Sequence, residues 1–273
     1  MIGLWDNTDC VMALPFTAWS RGNGRVNQNV GEMPAYPAGT YNATFTNMAA
    51  GYGYVFGGAG NGAGLCNFDG VDDGIFSSLK PAFTNASKHT FEIKFKYVNI
   101  GTDTRSLVFD WDTGDANNFW QLFVNGTAKK PILYFKIGGT IKNAISGEAI
   151  TNGNEYHLVA VKDGATLKLY INGSEPGSYD QQDAYNLGNK TFSEGITFGL
   201  QGSAGTLQNA GEVYWLAVYN DALSQARITA NATLGNDMGM LGLNTTDTMK
   251  LVTGVPVRRQ VPGQISGQLA GQF

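Results

Sequence analysis

Cysteine and histidine are nearly missing from this chain: Cys10 and Cys66, His89 and His157 are the full supply in 273 residues. Two thiols close one bridge at most, which excludes a disulfide scaffold and a four-cysteine zinc site, and two thiols are expected here in preference to a bridge. Charge is also scarce, at 15% of residues, which disfavours helical bundles and coiled coils. No basic run exceeds two residues and the net charge is −4, so no phosphate-neutralising face exists and nucleic acid is not an expected partner. No stretch approaches 18 apolar residues, and no membrane insertion is expected. The opening MIGLWDNTDC lacks a positive n-region, an apolar h-region and a small-residue cleavage site, and Ile2 is too bulky for efficient removal of Met1. The expectation is a chain made in the cytoplasm with Met1 as its own start.

Glycine is what the chain has in excess, 37 of 273 residues, about twice ordinary usage. The clearest periodicity is two. In TFEIKFKYV at 90–98, Phe91, Ile93, Phe95 and Tyr97 alternate with Glu92, Lys94 and Lys96, a strand with one dry and one wet face. Similar runs occupy 106–110, 119–125, 132–137, 156–162, 166–172, 195–200 and 212–219, with Asn125-Gly126, Asp163-Gly164 and Asn172-Gly173 as turn signals. The spacing predicts an antiparallel meander. YHLVAVKDGATLKLYING predicts a hairpin whose central pair, Asp163-Gly164, takes positive φ at both positions. Helix is confined to DALSQARITANA, where Asp221 or Ser224 caps a short segment bearing Leu223, Ala226 and Ile228, expected to close one end of a sandwich. Residues 20–65, with GGAGNGAG at 57–64, read as a long irregular segment with about two short strands. The final stretch, including VPVRRQVPGQISGQLAGQF, is too poor in large apolar residues to build its own core. The expected organisation is a lead-in at 1–9, a sandwich at 10–242 and an extended arm at 243–273.

Three segments carry a family resemblance. Cys66-Asn-Phe-Asp-Gly-Val-Asp-Asp-Gly-Ile75 resembles the "FDGVDDYV" strand and turn of laminin-G-like, concanavalin A-like lectin/glucanase domains. Residues 155–173 resemble their "WHHVAVTYDGTTLRLYVNG" hairpin, and 213–224 their closing "IDEVRIYNRALS" strand. The resemblance runs from about residue 10 to about 235, with CVMALPF similar to the family's first strand, and implies an all-β, two-sheet antiparallel jelly-roll sandwich. Alternating apolar residues in the hairpin and closing strand agree with this fold on physical grounds.

Candidate sites follow from the carboxylates. Asp69, Asp72 and Asp73 read as turn formers accepting backbone N–H bonds, with calcium as the alternative that the resemblance supplies. The family's early Asp-Ser-x-Gly-Asn-Gly segment stands here as Trp19-Ser-Arg-Gly-Asn-Gly24, without its Asp. No other cofactor is expected. Asp110-Trp-Asp-Thr-Gly-Asp115 lacks the closing Glu of an EF-hand and reads as a solvated loop. Its functional reading is a glycan contact, Trp111 stacking on a sugar while Asp112, Asp115 and Asn117 bond hydroxyls. No catalytic residue is nominated. Glu32, Glu92, Glu148, Glu155, Glu175, Glu194 and Glu212 never take the Glu-x-Asp-x-x-Glu spacing of a retaining glucanase, and His157 reads as a structural imidazole. The Gly run at 57–64 matches no phosphate loop. The seven Asn-x-Ser/Thr sequons follow from the Asn- and Thr-rich composition.

Sandwiches of this family work mostly outside cells and also occur on capsid and tail surfaces of bacteriophages, whose proteins resemble this chain in low charge, Gly/Asn/Thr richness and lack of an export signal. The expectation is a non-enzymatic virion surface protein, a head decoration or a tail or fibre component, made in the host cytoplasm. Its partners would be copies of itself, other virion proteins and cell-surface glycans. In the arm, Arg258 and Arg259 would meet acidic groups and Phe273 an apolar pocket of a neighbouring subunit. The alternatives are a free extracellular glycan-binding lectin or adhesin and a glycoside hydrolase of the same fold.

Overall fold

The computed structural model describes residues 10–15, 26–27, 43–46, 53–55, 65–70, 74–84, 86–98, 104–112, 115–176, 179–181, 190–199 and 210–234. The first third supplies β1 (Cys10–Pro15), β2 (Val26–Asn27), β3 (Ala43–Thr46), β4 (Gly53–Val55), β5 (Leu65–Asp69), β6 (Gly74–Ser77) and β7 (Ala82–Phe83). Longer strands follow: β8 (Lys88–Lys96), β9 (Arg105–Asp112), β10 (Asp115–Val124), β11 (Pro131–Ile137), β12 (Thr140–Ser146), β13 (Glu155–Asp163) and β14 (Thr166–Ile171). The last are β15 (Tyr179–Gln181), β16 (Lys190–Thr191), β17 (Thr197–Phe198) and β18 (Ala210–Tyr219), then α1 (Gln225–Ala232).

One sheet has seven strands in the order β14-β13-β8-β18-β5-β4, with β1 also paired to β18; the other has nine, β15-β12-β11-β10-β9-β17-β6-β3-β2; β16 and β7 pair separately. The ladders are antiparallel throughout, as in β13 with β8 and β10 with β11. This is the two-sheet antiparallel sandwich expected from the sequence. Phe91, Ile93 and Phe95 of β8, Leu158 and Ala160 of β13, and Leu216 and Val218 of β18 meet Trp120, Leu122, Leu133 and Phe135 from the opposite sheet in one buried cluster. Each large side chain removed from water there contributes about 1.5–3 kcal/mol. Phe83 sits edge-on to Trp120, Phe135 and Phe192, at 5.8, 5.2 and 5.9 Å between ring centroids.

Several expectations need correction. The β13–β14 hairpin turns one residue later than expected: Asp163 pairs with Thr166, so Gly164 and Ala165 are central, and only Gly164 has positive φ, +59°. Asn172-Gly173 has positive φ at both positions, and Asn172 Oδ1 accepts from His157 N at 2.9 Å. Strand β12 was missed because TIKNAIS alternates weakly; positive φ at Gly138 and Gly139 turns the chain into it. Three short strands, β2 to β4, fall within 20–65, where about two were expected.

The helix is capped by Ser224, whose Oγ accepts from Arg227 N, and it does not close an end. Its Ile228 packs with Val159, Val161, Tyr170, Trp215 and Tyr219. These side chains have the opposite parity to Leu158, Ala160 and Leu216, so the seven-stranded sheet is apolar on both faces and needs two covers. The face of β8 read as wet is therefore partly dry, with Glu92 only 1% exposed.

Register also decides the cysteines. Cys10 pairs with Tyr219 and Cys66 with Val213, on the same edge of β18. Six strand positions separate their Cα atoms by about 20 Å, beyond the roughly 7 Å that a disulfide tolerates. A bridge between them does not fit this register.

Candidate functional site

Beneath α1, four elements converge on one carboxylate. Glu92 Oε1 lies 2.6 Å from His157 Nε2 and 3.0 Å from Asn231 Nδ2, while Oε2 accepts from Tyr219 OH at 3.0 Å and from Asn231 Nδ2 at 3.1 Å. A carboxylate buried from water stands only if its lone pairs are so occupied. The His157 ring also sits 5.5 Å from that of Trp215. His157 is thus bonded within the sheet, and Asn231, through the same carboxylate, ties the helix to it. His89 is buried too, with Nε2 2.9 Å from Ala82 O, and burial pushes its pKa down. Lys162, 2% exposed, donates to three backbone carbonyls, Thr84, Ser87 and Gly164, at 2.7, 2.8 and 2.7 Å. Burial pushes its ammonium down to about 8 despite nearby Asp163.

The acidic segment at the β9–β10 end is partly committed to the scaffold. Asp110 is buried and its Oδ1 accepts from Gly195 N at 3.0 Å. Asp112 pairs through Oδ2 with Lys190 and accepts from Ser193 N at 3.0 Å through Oδ1. Asp115 stands opposite Asp112 in the ladder and Trp111 opposite Phe119. Asn117 is exposed, beside the Gly138-Gly139 turn, and its carbonyl accepts from Gly139 N at 3.4 Å. The four glycan candidates thus lie at one end of the β9–β10 pair, but the Asp112 carboxylate already serves two protein donors.

Asp69 lies in β5 opposite Ala210; Asp72, Asp73, Arg258, Arg259 and Phe273 lie outside the described residues. Among the described residues no group of three or more His, Cys, Asp or Glu side chains is placed to hold a metal ion.

Two groupings were not seen in the sequence. Tyr214 OH lies 2.7 Å from Glu155 Oε1 and 2.8 Å from Glu212 Oε2, and its single proton can serve one at a time. Lys96 Nζ is 3.4 Å from Glu212. Burial first, then the two carboxylates, pushes the Tyr214 phenol far up. The second grouping lies on the outer face of the nine-stranded sheet. Trp120 and Leu122 point inward, so Phe119, Gln121 and Phe123 take the outer face of β10. On β11, Tyr134 stands opposite Gln121 and Lys136 opposite Phe119. The Phe119 and Tyr134 rings stack at 5.3 Å, Phe123 meets Tyr134 edge-on at 6.2 Å, and Lys136 Nζ is 6.0 Å from the Phe119 centroid. Alternating apolar runs show which face a residue takes only when one parity is polar; FWQLFV and ILYFKI are apolar on both.

A family model described as the concanavalin A-like lectin/glucanases superfamily matches residues 68–229. No curated protein matches the chain in sequence. Among solved structures, the chain is similar to the binding domain of Paraclostridial Mosquitocidal Protein 1, with TM-score 0.59 and 15% identity over 82% of this chain and 52% of that one. It is similar to Trypanosoma rangeli sialidase in complex with sialic acid, with TM-score 0.57 and 13% identity over 84% of this chain and 33% of that one. Domain 4 of AbnA, a GH43 extracellular arabinanase from Geobacillus stearothermophilus, in complex with arabinotriose, gives TM-score 0.55 and 17% identity over 81% of this chain and 97% of that one. The chain spans about a third of the sialidase and about half of the mosquitocidal binding domain. At these identities the likeness is one of fold. The family match spans more than half of the chain, and the chain belongs to the concanavalin A-like lectin/glucanases superfamily.

Proposed function

We propose that the chain is a non-enzymatic surface protein of a bacteriophage virion, a head decoration or a tail or fibre component, made in the host cytoplasm. Its sandwich recognises glycans, and residues 243–273 join it to copies of itself or to other virion proteins. The observation that carries binding over turnover is where the polar groups go: Glu92, Asp110, Asp112 and His157 are held by structural bonds, while the open sheet face carries aromatic rings. Rings and amides hold a sugar without supplying a general acid or base. The arabinanase domain to which the chain is similar over 97% of that domain's length was solved in complex with arabinotriose, which supports glycans as the ligand class. Low charge and abundant Gly, Asn and Thr support the virion setting.

The test is electron microscopy of the purified full chain and of a chain lacking 243–273, with a glycan array on both. Assembly into regular oligomers or onto particles, lost on truncation, together with glycan binding without release of reducing sugar, is the expected result. Unchanged assembly after truncation would sink the arm, and absence of glycan binding would sink the recognition role.

One observation favours a hydrolase as the second reading. Glu155 and Glu212 share the Tyr214 hydroxyl, which sets their nearest oxygens no more than about 5.5 Å apart, close to the separation used by retaining glycosidases. Reducing-sugar release by the full chain that vanishes in both Glu155→Gln and Glu212→Gln would establish that reading; no release from the wild type is expected.

A further inference from the structure

We propose that the outer face of the nine-stranded sheet, over β10 and β11, takes residues 257–273 of a second copy of this chain. The inference rests on the assembly part of the reading above and names the surface that the arm reaches. The first observation is an uncovered apolar face. Phe119, Phe123 and Tyr134 are part-exposed and packed ring to ring. Ile141 of β12, 42% exposed, extends the row that Phe119 and Lys136 begin. The helix among the described residues lies on the other sheet, and contiguous open apolar surface of this kind marks a contact with another molecule.

The second observation is a pattern in the sequence beyond the described residues. From Val257 every fourth residue is apolar: Val261, Ile265, Leu269 and Phe273. At a period of two, the positions between them are Arg259, Gly263, Gly267 and Gly271, while the other parity carries Gln260, Gln264, Gln268 and Gln272. An extended segment with this pattern has one face of large side chains separated by glycine gaps and one face of amides. Its large side chains recur at about 13 Å, the spacing of Phe119 and Phe123 four positions apart on β10, and each glycine leaves room for a ring. Residues 260–273 carry no charge, which suits a surface of rings and aliphatic groups. Where the chain leaves the sandwich favours a second copy over the same one. Leu234 packs with α1 on the outer face of the seven-stranded sheet, the side turned away from the rings. Such a contact is heterologous and joins copies head to tail into a ring or a filament. On an assembled copy, sugar contact then falls to the Asp112–Asn117 end of β9 and β10.

Sedimentation velocity of the full chain over a range of concentrations reads the assembly, beside two double variants. Ile265→Ser with Leu269→Ser alters the segment, and Phe119→Thr with Tyr134→Thr alters the face. Ile141→Ser, at an exposed position, stands in for the face variant if that does not fold. Each variant alone is expected to self-associate at least about tenfold more weakly than the wild type. Mixed, the two should form a one-to-one complex, because the first keeps its face and the second its segment. No complex in the mixture overturns the proposal. Assembly lost in the segment variant but unchanged in the folded face variant overturns it while leaving the arm reading standing. Assembly lost only in the face variant overturns both, as does a wild type that stays monomeric at every concentration.

Discussion

On the outer face of the seven-stranded sheet, α1 covers Val159, Tyr170, Trp215 and Tyr219; on the outer face of the nine-stranded sheet, Phe119, Phe123 and Tyr134 remain part-exposed. Both sheets need their inner faces for the core, so the difference lies in what stands behind. Covering a face dehydrates whatever polar groups lie on it, and these must then be bonded within the protein, as Glu92 is to His157, Tyr219 and Asn231. An open face keeps its polar groups available to a partner. The covered side is therefore where stability resides and the open side where recognition can.

The sharpest way to break this contrast is at the covered carboxylate. Glu92→Ala strands His157 and Asn231 in a dry layer and should destabilise the fold by about 3–5 kcal/mol, read by denaturant unfolding; a loss below about 1 kcal/mol would show that the layer is wet. Next comes Lys162→Met, which removes the donor from three carbonyls and should lose about 1–3 kcal/mol. Lys162 also gives a pH signature. Burial lowers its pKa from 10.5 to about 8, so above pH 8 the folded chain sheds a proton that the unfolded chain keeps. Stability of the wild type should rise with pH from about 8 to 9.5, and the rise should vanish in Lys162→Met. Above pH 10 the raised phenol of Tyr214 works in the opposite sense.

A smaller effect is expected where the helix meets the sheet. At Gly173, φ is +82° and a Cβ would lie 2.8 Å from Ala232 Cβ and 3.1 Å from Thr229 Cα. Gly173→Ala should lose roughly 1–3 kcal/mol, seen as a lower melting temperature with the inter-sheet core intact. The smallest belongs to the open face. Ile141 and Phe76, 42% and 37% exposed, should each tolerate Ser within about 0.5 kcal/mol. A large loss at either would mean that this face is covered after all.

Much of the framework was legible in the sequence, because strands with one polar parity announce their dry face: Phe91, Ile93 and Phe95 are buried in the inter-sheet core as their alternation implied. The same rule misled at Glu92. A charged residue on the second parity reads as wet unless the cover, contributed some 130 residues later by α1, is known. The loop expected to contact glycans was read from its carboxylates and Trp111, but Lys190 and Ser193, which occupy Asp112, are distant in sequence. Gln121, whose buried Nε2 has no hydrogen-bond partner, escaped notice because nothing in FWQLFV says which neighbours will fail to bond it. Glu155, Tyr214 and Glu212 come from two strands joined only through β8. Local pattern gives parity and turns; pairing across the sheet has no local signature.

The position of β18 sets an order of events during synthesis. It lies between β8 on one side and β1 and β5 end to end on the other, so the first strand waits roughly two hundred residues for its partner, while β8 holds one backbone edge unpaired. A nascent chain stalled before Ala210 would present that edge, with Phe91, Ile93 and Phe95 beside it, to any neighbouring strand. Emergence of β18, rather than of the early strands, is then the step at which the seven-stranded sheet closes.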